Sequence, residues 1–269
     1  MEAKLIESVI SLVKQAGQAI LPFWKSELAV DTKQDDSPVT AADLAANAVL
    51  LAGLKQLTPD IPVLSEEACQ FTIEERQQWS SWWLVDPLDG TKEFIKGKDE
   101  FTVNVALIQQ GRVVFGVVGC PVSGVVYFGG AHLGAFKRLE HSTTAIQVRD
   151  AQHEFVVVAS PSHTSPEQDA MIAGLTEAYP NLEVRKLGSS LKFCLLAEGK
   201  IDFYPRFAPT SQWDTAAAQA VLEGAGGQLL TVEGNLFDYP VRENLINPYF
   251  LALPSQASWR THVLNNLRK

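Results

Sequence analysis

The stretch Trp82-Trp83-Leu84-Val85-Asp86-Pro87-Leu88-Asp89-Gly90-Thr91-Lys92-Glu93-Phe94 constrains this chain more than any other. Trp82 to Val85 is an apolar run and reads as the end of a buried strand. Asp86-Pro87 is expected to stop it, because proline cannot donate to a sheet ladder. Pro87 stiffens the turn that follows, and Gly90 permits a tight bend. Asp86 and Asp89 then leave one short turn together. Two carboxylates converging at the carboxyl end of a strand are costly unless a cation sits between them. Thr91 to Phe94 has the form of a first helical turn, whose free backbone N–H groups face the same space and suit a phosphate. A cation cage beside a phosphate cradle is a design that hydrolyses phosphate esters. Asp-Pro and Asp-Gly are also among the commonest turn dipeptides, so a plain surface turn fits this local sequence as well.

At 269 residues the chain can form one large domain or two lobes over a substantial core. Its formal charge of -9 argues against a nucleic-acid groove or a polybasic membrane anchor. An acidic protein that handles phosphates needs local positive charge, which divalent metals supply. Cys69, Cys120 and Cys194 are widely spaced, with neither a zinc spacing nor a disulfide framework. They are expected to be free packing thiols in a reducing compartment. Met1 to Lys14 is charged and amphipathic, unlike a signal peptide. No stretch reaches the roughly 18 apolar residues that span a bilayer. Neither an internal repeat nor a long linker is visible, and His132, His141, His153 and His262 are expected at the surface.

Apolar positions from Leu5 to Ile20 recur at helical spacing, and the helix is expected to end near Leu21-Pro22. Val30 to Ser37 reads as a polar loop. Thr40 is a candidate N-cap with Asp43 three positions on, opening a helix to about Leu57. Val63 to Ser65 is a short strand with Glu66-Glu67 at its end, where open α/β sheets place their sites. After Phe94 come strands over Phe101–Ile108, Arg112–Gly119, Val125–Phe128, Gly134–Leu139 and Ile146–Val148, the first two closed by a hairpin. A strongly apolar strand, Glu154 to Ala159, opens a half in which strands and helices alternate. Its helices are expected over Pro166–Tyr179, Leu191–Gly199 and Thr215–Gly224, the last capped by Thr210 to Asp214. The expected division is therefore residues 1–150, an α+β lobe with a mostly antiparallel sheet, and residues 151–269, an α/β lobe.

Asp43, Glu66, Glu67, Asp86, Asp89 and Asp214 are the acids that can converge. Taken singly, Asp43 and Asp214 are better explained as dipole-complementing acids at helix starts. Taken in order, Ser65-Glu66-Glu67, Asp86-Pro87-Leu88-Asp89-Gly90-Thr91 and Trp213-Asp214 before an Ala-rich helix and Gly226-Gly227 resemble the inositol monophosphatase superfamily. The resemblance covers essentially the whole chain, including Pro38 to Asp43. It implies the layered αβαβα sugar-phosphatase fold and an Mg²⁺-dependent, lithium-sensitive phosphatase. Lys92-Glu93-Phe94-Ile95 and Phe101-Thr102-Val103-Asn104 further resemble the bacterial 3'(2'),5'-bisphosphate nucleotidases of sulfate assimilation. That implies hydrolysis of adenosine 3',5'-bisphosphate to AMP and phosphate, extending to the 3'-phosphorylated sulfate donor. An inositol- or sugar-phosphate phosphatase with the same metal core is the alternative.

The same resemblance implies the roles. Glu66, Asp86, the Leu88 carbonyl, Asp89 and Asp214 would hold two or three Mg²⁺ ions, which favour oxygen donors. Thr91, paired with Asp43, and Glu66 would orient a metal-activated water and take its proton. Gly90 and Thr91 N–H groups would hold the scissile phosphate. Ser160, Ser162, His163, Gly188, Ser189, Lys192 and Arg206 are candidates on the nucleoside side, with Lys192 and Arg206 placed to pair a second phosphate. Helix capping by the serines and solvation of the two bases is the plain alternative. The partner is then a small-molecule nucleotide. The resemblance also implies a cytoplasmic enzyme, or one peripheral to the cytoplasmic face of the inner membrane, for which the sequence shows no anchor. It leaves the oligomeric state open.

Overall fold

A computed structural model describes residues 1–26, 30–32, 38–150, 154–160 and 165–266. Its helices are α1 (Ala3–Ile20), α2 (Ala41–Leu57), α3 (Ile73–Gln77), α4 (Thr91–Ile95), α5 (Pro166–Ala178), α6 (Leu191–Ala197), α7 (Gln212–Gly224) and α8 (Arg260–Asn266). Its strands are β1 (Val30–Thr32), β2 (Pro38–Thr40), β3 (Val63–Ser65), β4 (Ser81–Asp89), β5 (Thr102–Gln109), β6 (Arg112–Cys120) and β7 (Val125–Gly130). They continue as β8 (Gly134–Leu139), β9 (Ser142–Ala145), β10 (Phe155–Ala159), β11 (Leu182–Lys186), β12 (Tyr204–Arg206), β13 (Gly227–Thr231) and β14 (Phe250–Pro254).

Strands β3 to β9 form one seven-stranded sheet in sequence order, antiparallel except for the parallel pair β3–β4. In the second half β10 and β11 pair in parallel, and β14 lies antiparallel between β12 and β13. A parallel bridge, Val157 to Phe203, links those two groups. Layers of helices separate and flank the sheets, because the central strands β4, β5 and β10 bury both faces, whereas β9 at the sheet edge is exposed. Along β4, Trp83 and Val85 enter the core under α1 and α2, whereas Trp82 and Leu84 enter the core shared with α6 and α7. Along β10, Val156 and Val158 join that second core, and Phe155 and Val157 join a third with residues of α5 and α8. Side chains alternate across a strand, so a strand covered on both faces reads as a continuous apolar run. The result is the αβαβα layering. Ala-rich α7 lies flat on the large sheet, and a Cβ on Gly116 would fall 2.1 Å from the Ala217 carbonyl oxygen.

Several local expectations change. Strand β4 runs through Pro87 to Asp89, with its register on β5 shifting between Asp86 and Asp89. Proline is tolerated because the interrupted ladder asks for no N–H there. Val30 to Thr32, read as loop, pairs with Pro38 to Thr40 as a short ribbon. The last strand of the large sheet is Ser142–Ala145, not Ile146–Val148, and β12 begins at Tyr204 rather than Ile201. Helix α7 starts three residues before Thr215, and α8 is an addition to the expected elements. Cys120 and Cys194 are buried, but Cys69 is exposed and does not serve packing. His132 and His141 are exposed, while the side chains of His153 and His262 lie outside the described residues. Among the described residues, no helix is long and apolar enough to cross a membrane.

Candidate active site

Glu66 directly follows β3, Asp86 lies in β4, and Asp214 is the third residue of α7. One carboxylate oxygen of each lies within 4.8 Å of the others. Sequence positions far apart therefore meet at the carboxyl ends of the parallel strands. Two of these acids are held locally. Asp86 Oδ1 accepts the Leu88 N–H at 3.0 Å across the Pro87 turn. Asp214 Oδ2 accepts the Ser211 N–H at 2.8 Å, a helix cap that fixes its rotamer. Asp86 is enclosed, and its carboxyl is held well above the usual carboxylate range by burial, then by the charges of Glu66, Asp89 and Asp214. Burial, Asp89 and Glu66 do the same to Asp214. A cation removes that mutual repulsion, and an all-oxygen donor set fits a hard divalent ion.

Asp89 stands beside this trio. Its Oδ2 accepts the Ser190 N–H at 2.5 Å. Burial raises its pKa, opposed by the Lys192 ammonium and by that N–H. The Leu88 side chain is packed in the core under α2, and its carbonyl accepts the Thr91 hydroxyl at 3.2 Å. Gly90 takes φ 93°, which lets the chain turn from β4 into α4. Asp43 does cap α2: its Oδ2 accepts the Thr40 N–H at 2.8 Å and the Thr40 hydroxyl at 2.7 Å. Its Oδ1 lies 3.4 Å from the Thr91 hydroxyl, so capping and the Thr91 link coexist in one carboxylate.

A cavity of about 230 Å³ opens over these groups, lined by Glu66, Asp86, Leu88, Asp89, Gly90, Thr91 and Asp214 from the expected set. Ser160, Gly188, Ser189, Lys192 and Arg206 line the same cavity. Asp43 sits behind Thr91 and is not among the lining residues. Ser162 and His163 lie outside the described residues. The two bases are not solvated: Lys192 is 4% exposed and Arg206 is 5% exposed. Lys192 Nζ donates to the Ser189 carbonyl at 2.6 Å and the Leu187 carbonyl at 3.3 Å. Arg206 donates to the carbonyls of Ala208 and Pro209, both at 3.2 Å. Burial pushes the Lys192 ammonium down to about 8, with Asp89 opposing and Arg206 assisting.

Reading the sequence for acids overlooks Glu93, Tyr204 and Ser190, all on the cavity wall, and the structural part played by Thr102 and Asn104. The last two do carry a signal: they are polar, two apart, in an otherwise apolar strand, and a buried polar side chain requires a partner.

An acid trio and a bank of buried cations across one cavity, on αβαβα layers, define the class. The chain belongs to the inositol monophosphatase family, whose family model matches residues 1–265. It is 50% identical over 248 residues to the 3'(2'),5'-bisphosphate nucleotidase CysQ of Salmonella typhimurium, covering 91% of this chain and 98% of that one. To the 3'(2'),5'-bisphosphate nucleotidase CysQ of Haemophilus influenzae it is 34% identical over 259 residues, or 96% of each chain. Among solved structures, CysQ from Bacteroides thetaiotaomicron superposes with a TM-score of 0.81 at 38% identity, covering 93% of this chain and 97% of that one. An inositol monophosphatase of Thermotoga maritima shares the fold, with a TM-score of 0.79 at 22% identity over 98% of this chain and 96% of its own.

Proposed function

We propose that this chain is a 3'(2'),5'-bisphosphate nucleotidase that hydrolyses adenosine 3',5'-bisphosphate to AMP and phosphate, and also accepts the 3'-phosphorylated sulfate donor. The observation that carries this reading is the presence of buried Lys192 and Arg206 in the same cavity as Glu66, Asp86 and Asp214. Asp89, Glu93 and Asp214 offset the Lys192 ammonium only in part, since burial still pushes it down and Arg206 adds to the repulsion, so a second phosphate there supplies charge the wall lacks. A substrate with one phosphate at the acid trio and another at Lys192 and Arg206 satisfies both walls. A monophosphate satisfies only one. The relatives named CysQ support the same reading.

Glu66, Asp86, the Leu88 carbonyl, Asp89 and Asp214 would hold two or three Mg²⁺ ions. When bound, such ions neutralise charge on the phosphoryl oxygens and lower the pKa of water. The chain's own residues do the rest. The Gly90 and Thr91 N–H groups, open at the start of α4, hold the scissile phosphate. Thr91, backed by Asp43, orients the attacking water, and Glu66 accepts a proton from it. Ser160, Ser189 and Gly188 line the nucleoside side. Residues 1–150 then supply most acids, while residues 151–269 supply Asp214 and the nucleotide wall. Three free thiols suit a reducing compartment, and we place the enzyme in the cytoplasm.

Lys192→Met is expected to raise KM for adenosine 3',5'-bisphosphate about tenfold while leaving kcat for a monophosphate such as inositol 1-phosphate nearly unchanged. Equal loss on both substrates would break the assignment of the second phosphate. The governing experiment is phosphate release from these two compounds with Mg²⁺ present and absent. Faster release from inositol 1-phosphate would select the inositol-phosphate alternative.

A further inference from the structure

Strand β5 carries Thr102 and Asn104, paired in register with Asp89 and Asp86 of β4. Thr102 and Asn104 are at most 1% exposed. They meet Ser190, 2% exposed, at the start of α6. The Ser190 hydroxyl donates to Asn104 Oδ1 at 2.8 Å. Its proton is thereby used, so the 2.8 Å contact with Thr102 is donated by the threonine. This order fixes the amide: with Oδ1 engaged by Ser190, Nδ2 must turn the other way. There it has no hydrogen-bond partner, and Asn104 favours the charged form of the Asp89 carboxyl. The same serine donates its backbone N–H to Asp89 Oδ2. Ser190 thus bridges Asp89 and Asn104 and joins the two halves of the chain.

The turn preceding α6 is anchored from several sides. The Gly188 N–H donates to Glu100 Oε2 at 2.9 Å, and Lys192 Nζ takes the carbonyls of Leu187 and Ser189. Ser189 is held at φ 48°, a left-handed conformation that is uncommon for a serine.

Resting on the phosphatase reading above, we propose that Asn104 is a positioning residue of the centre. Its amide, set by the Ser190 hydroxyl, steers Asp89 toward the acid trio and couples ion binding to the 187–190 turn on the nucleotide side. An unsatisfied donor beside a ligand carboxylate orients that ligand through the amide it lacks a better use for, and such outer contacts commonly govern metal affinity.

The test is Mn²⁺ titration of the metal-free full chain by electron paramagnetic resonance. Asn104→Leu keeps the shape and removes the amide, and is expected to weaken Mn²⁺ binding about tenfold, as is Asn104→Ala. Ser190→Ala should weaken it less, since the backbone N–H still holds Asp89. The Ser190→Ala, Asn104→Ala double variant should be no weaker than Asn104→Ala alone, because the hydroxyl acts through the amide. In turnover, half-saturating Mg²⁺ should rise while kcat at saturating Mg²⁺ changes far less. Unchanged Mn²⁺ affinity in Asn104→Leu, or additive losses in the double variant, would overturn the proposal. Should the Asn104 variants fail to fold, unchanged affinity in Ser190→Ala overturns it alone. A parent enzyme that fails on adenosine 3',5'-bisphosphate but keeps this Mn²⁺ series refutes the substrate reading and leaves the positioning role standing.

Discussion

Asp86→Asn is expected to lower kcat/KM by about a thousandfold and, in the same protein stripped of metal, to raise thermal stability. Both effects have one cause. Asp86 is 1% exposed, with Glu66 and Asp214 oxygens within 4.8 Å. In the loaded enzyme its charge would draw the ion, and a neutral amide would not replace it. In the metal-free protein the same charge is a liability. Burial and three neighbouring acids hold its folded pKa well above the unfolded one. A group of that kind stabilises the fold only while protonated, so its contribution is present below the unfolded pKa and is lost as pH rises toward the folded one. The stability gained by Asp86→Asn over the parent should therefore grow from about pH 4 upward. Added Mg²⁺ should stabilise the parent and leave the variant nearly unmoved. The amide that replaces the carboxylate still offers an oxygen to the Leu88 N–H, so the turn itself is preserved. Thermal melts in chelator across pH, paired with phosphate release, check both halves. A variant with undiminished Mg²⁺-dependent turnover, or one less stable without metal, would remove Asp86 from the centre.

What could be read in advance depended on sequence distance. Asp86 to Thr91 is a local turn, and Thr40 with Asp43 is a local cap, so residue types and spacing were enough. The continuous apolar runs of β4 and β10 announced strands covered on both faces. The Asp214 cap had the same legibility, though the helix start at Gln212, capped by Ser211, rather than at Thr215 followed from the whole box, not from the helix-forming residues. Pro87 misled because a proline rule applies to paired N–H groups, and β4 is unpaired where the register shifts. The bases were harder. Lys192 and Arg206 look like surface residues by type, and only the folded turn around Leu187 and Ser189 shows why a lysine can be buried there. The Ser190–Asn104 contact spans 86 positions, and nothing local announces it. Distances of that kind are set by how the layers stack, not by any segment alone.

Thr91→Val is expected to reduce kcat by a factor on the order of 10²–10³ with little change in Mg²⁺ affinity, whereas Thr91→Ser stays close to the parent. Valine matches the threonine in shape, so the fold around α4 should survive and only the hydroxyl is lost. That hydroxyl lies on the cavity wall with two acceptors behind it, Leu88 carbonyl at 3.2 Å and Asp43 Oδ1 at 3.4 Å. Asp43 is itself immobilised, because Thr40 donates twice to its other oxygen. Directed backward in this way, the Thr91 proton leaves an oxygen lone pair facing the cavity, where it can accept a hydrogen bond from water and aim it at the phosphorus. Asp43 lies outside the cavity lining and would act through that hydroxyl. It follows that Asp43→Asn should lose less than Thr91→Val, and that combining the two should cost no more than Thr91→Val alone. Single-turnover phosphate release at saturating Mg²⁺ separates this loss from one of ion binding. Additive losses, or a Thr91→Val enzyme as fast as the parent, would show that water is oriented by Glu66 and the ions without the threonine.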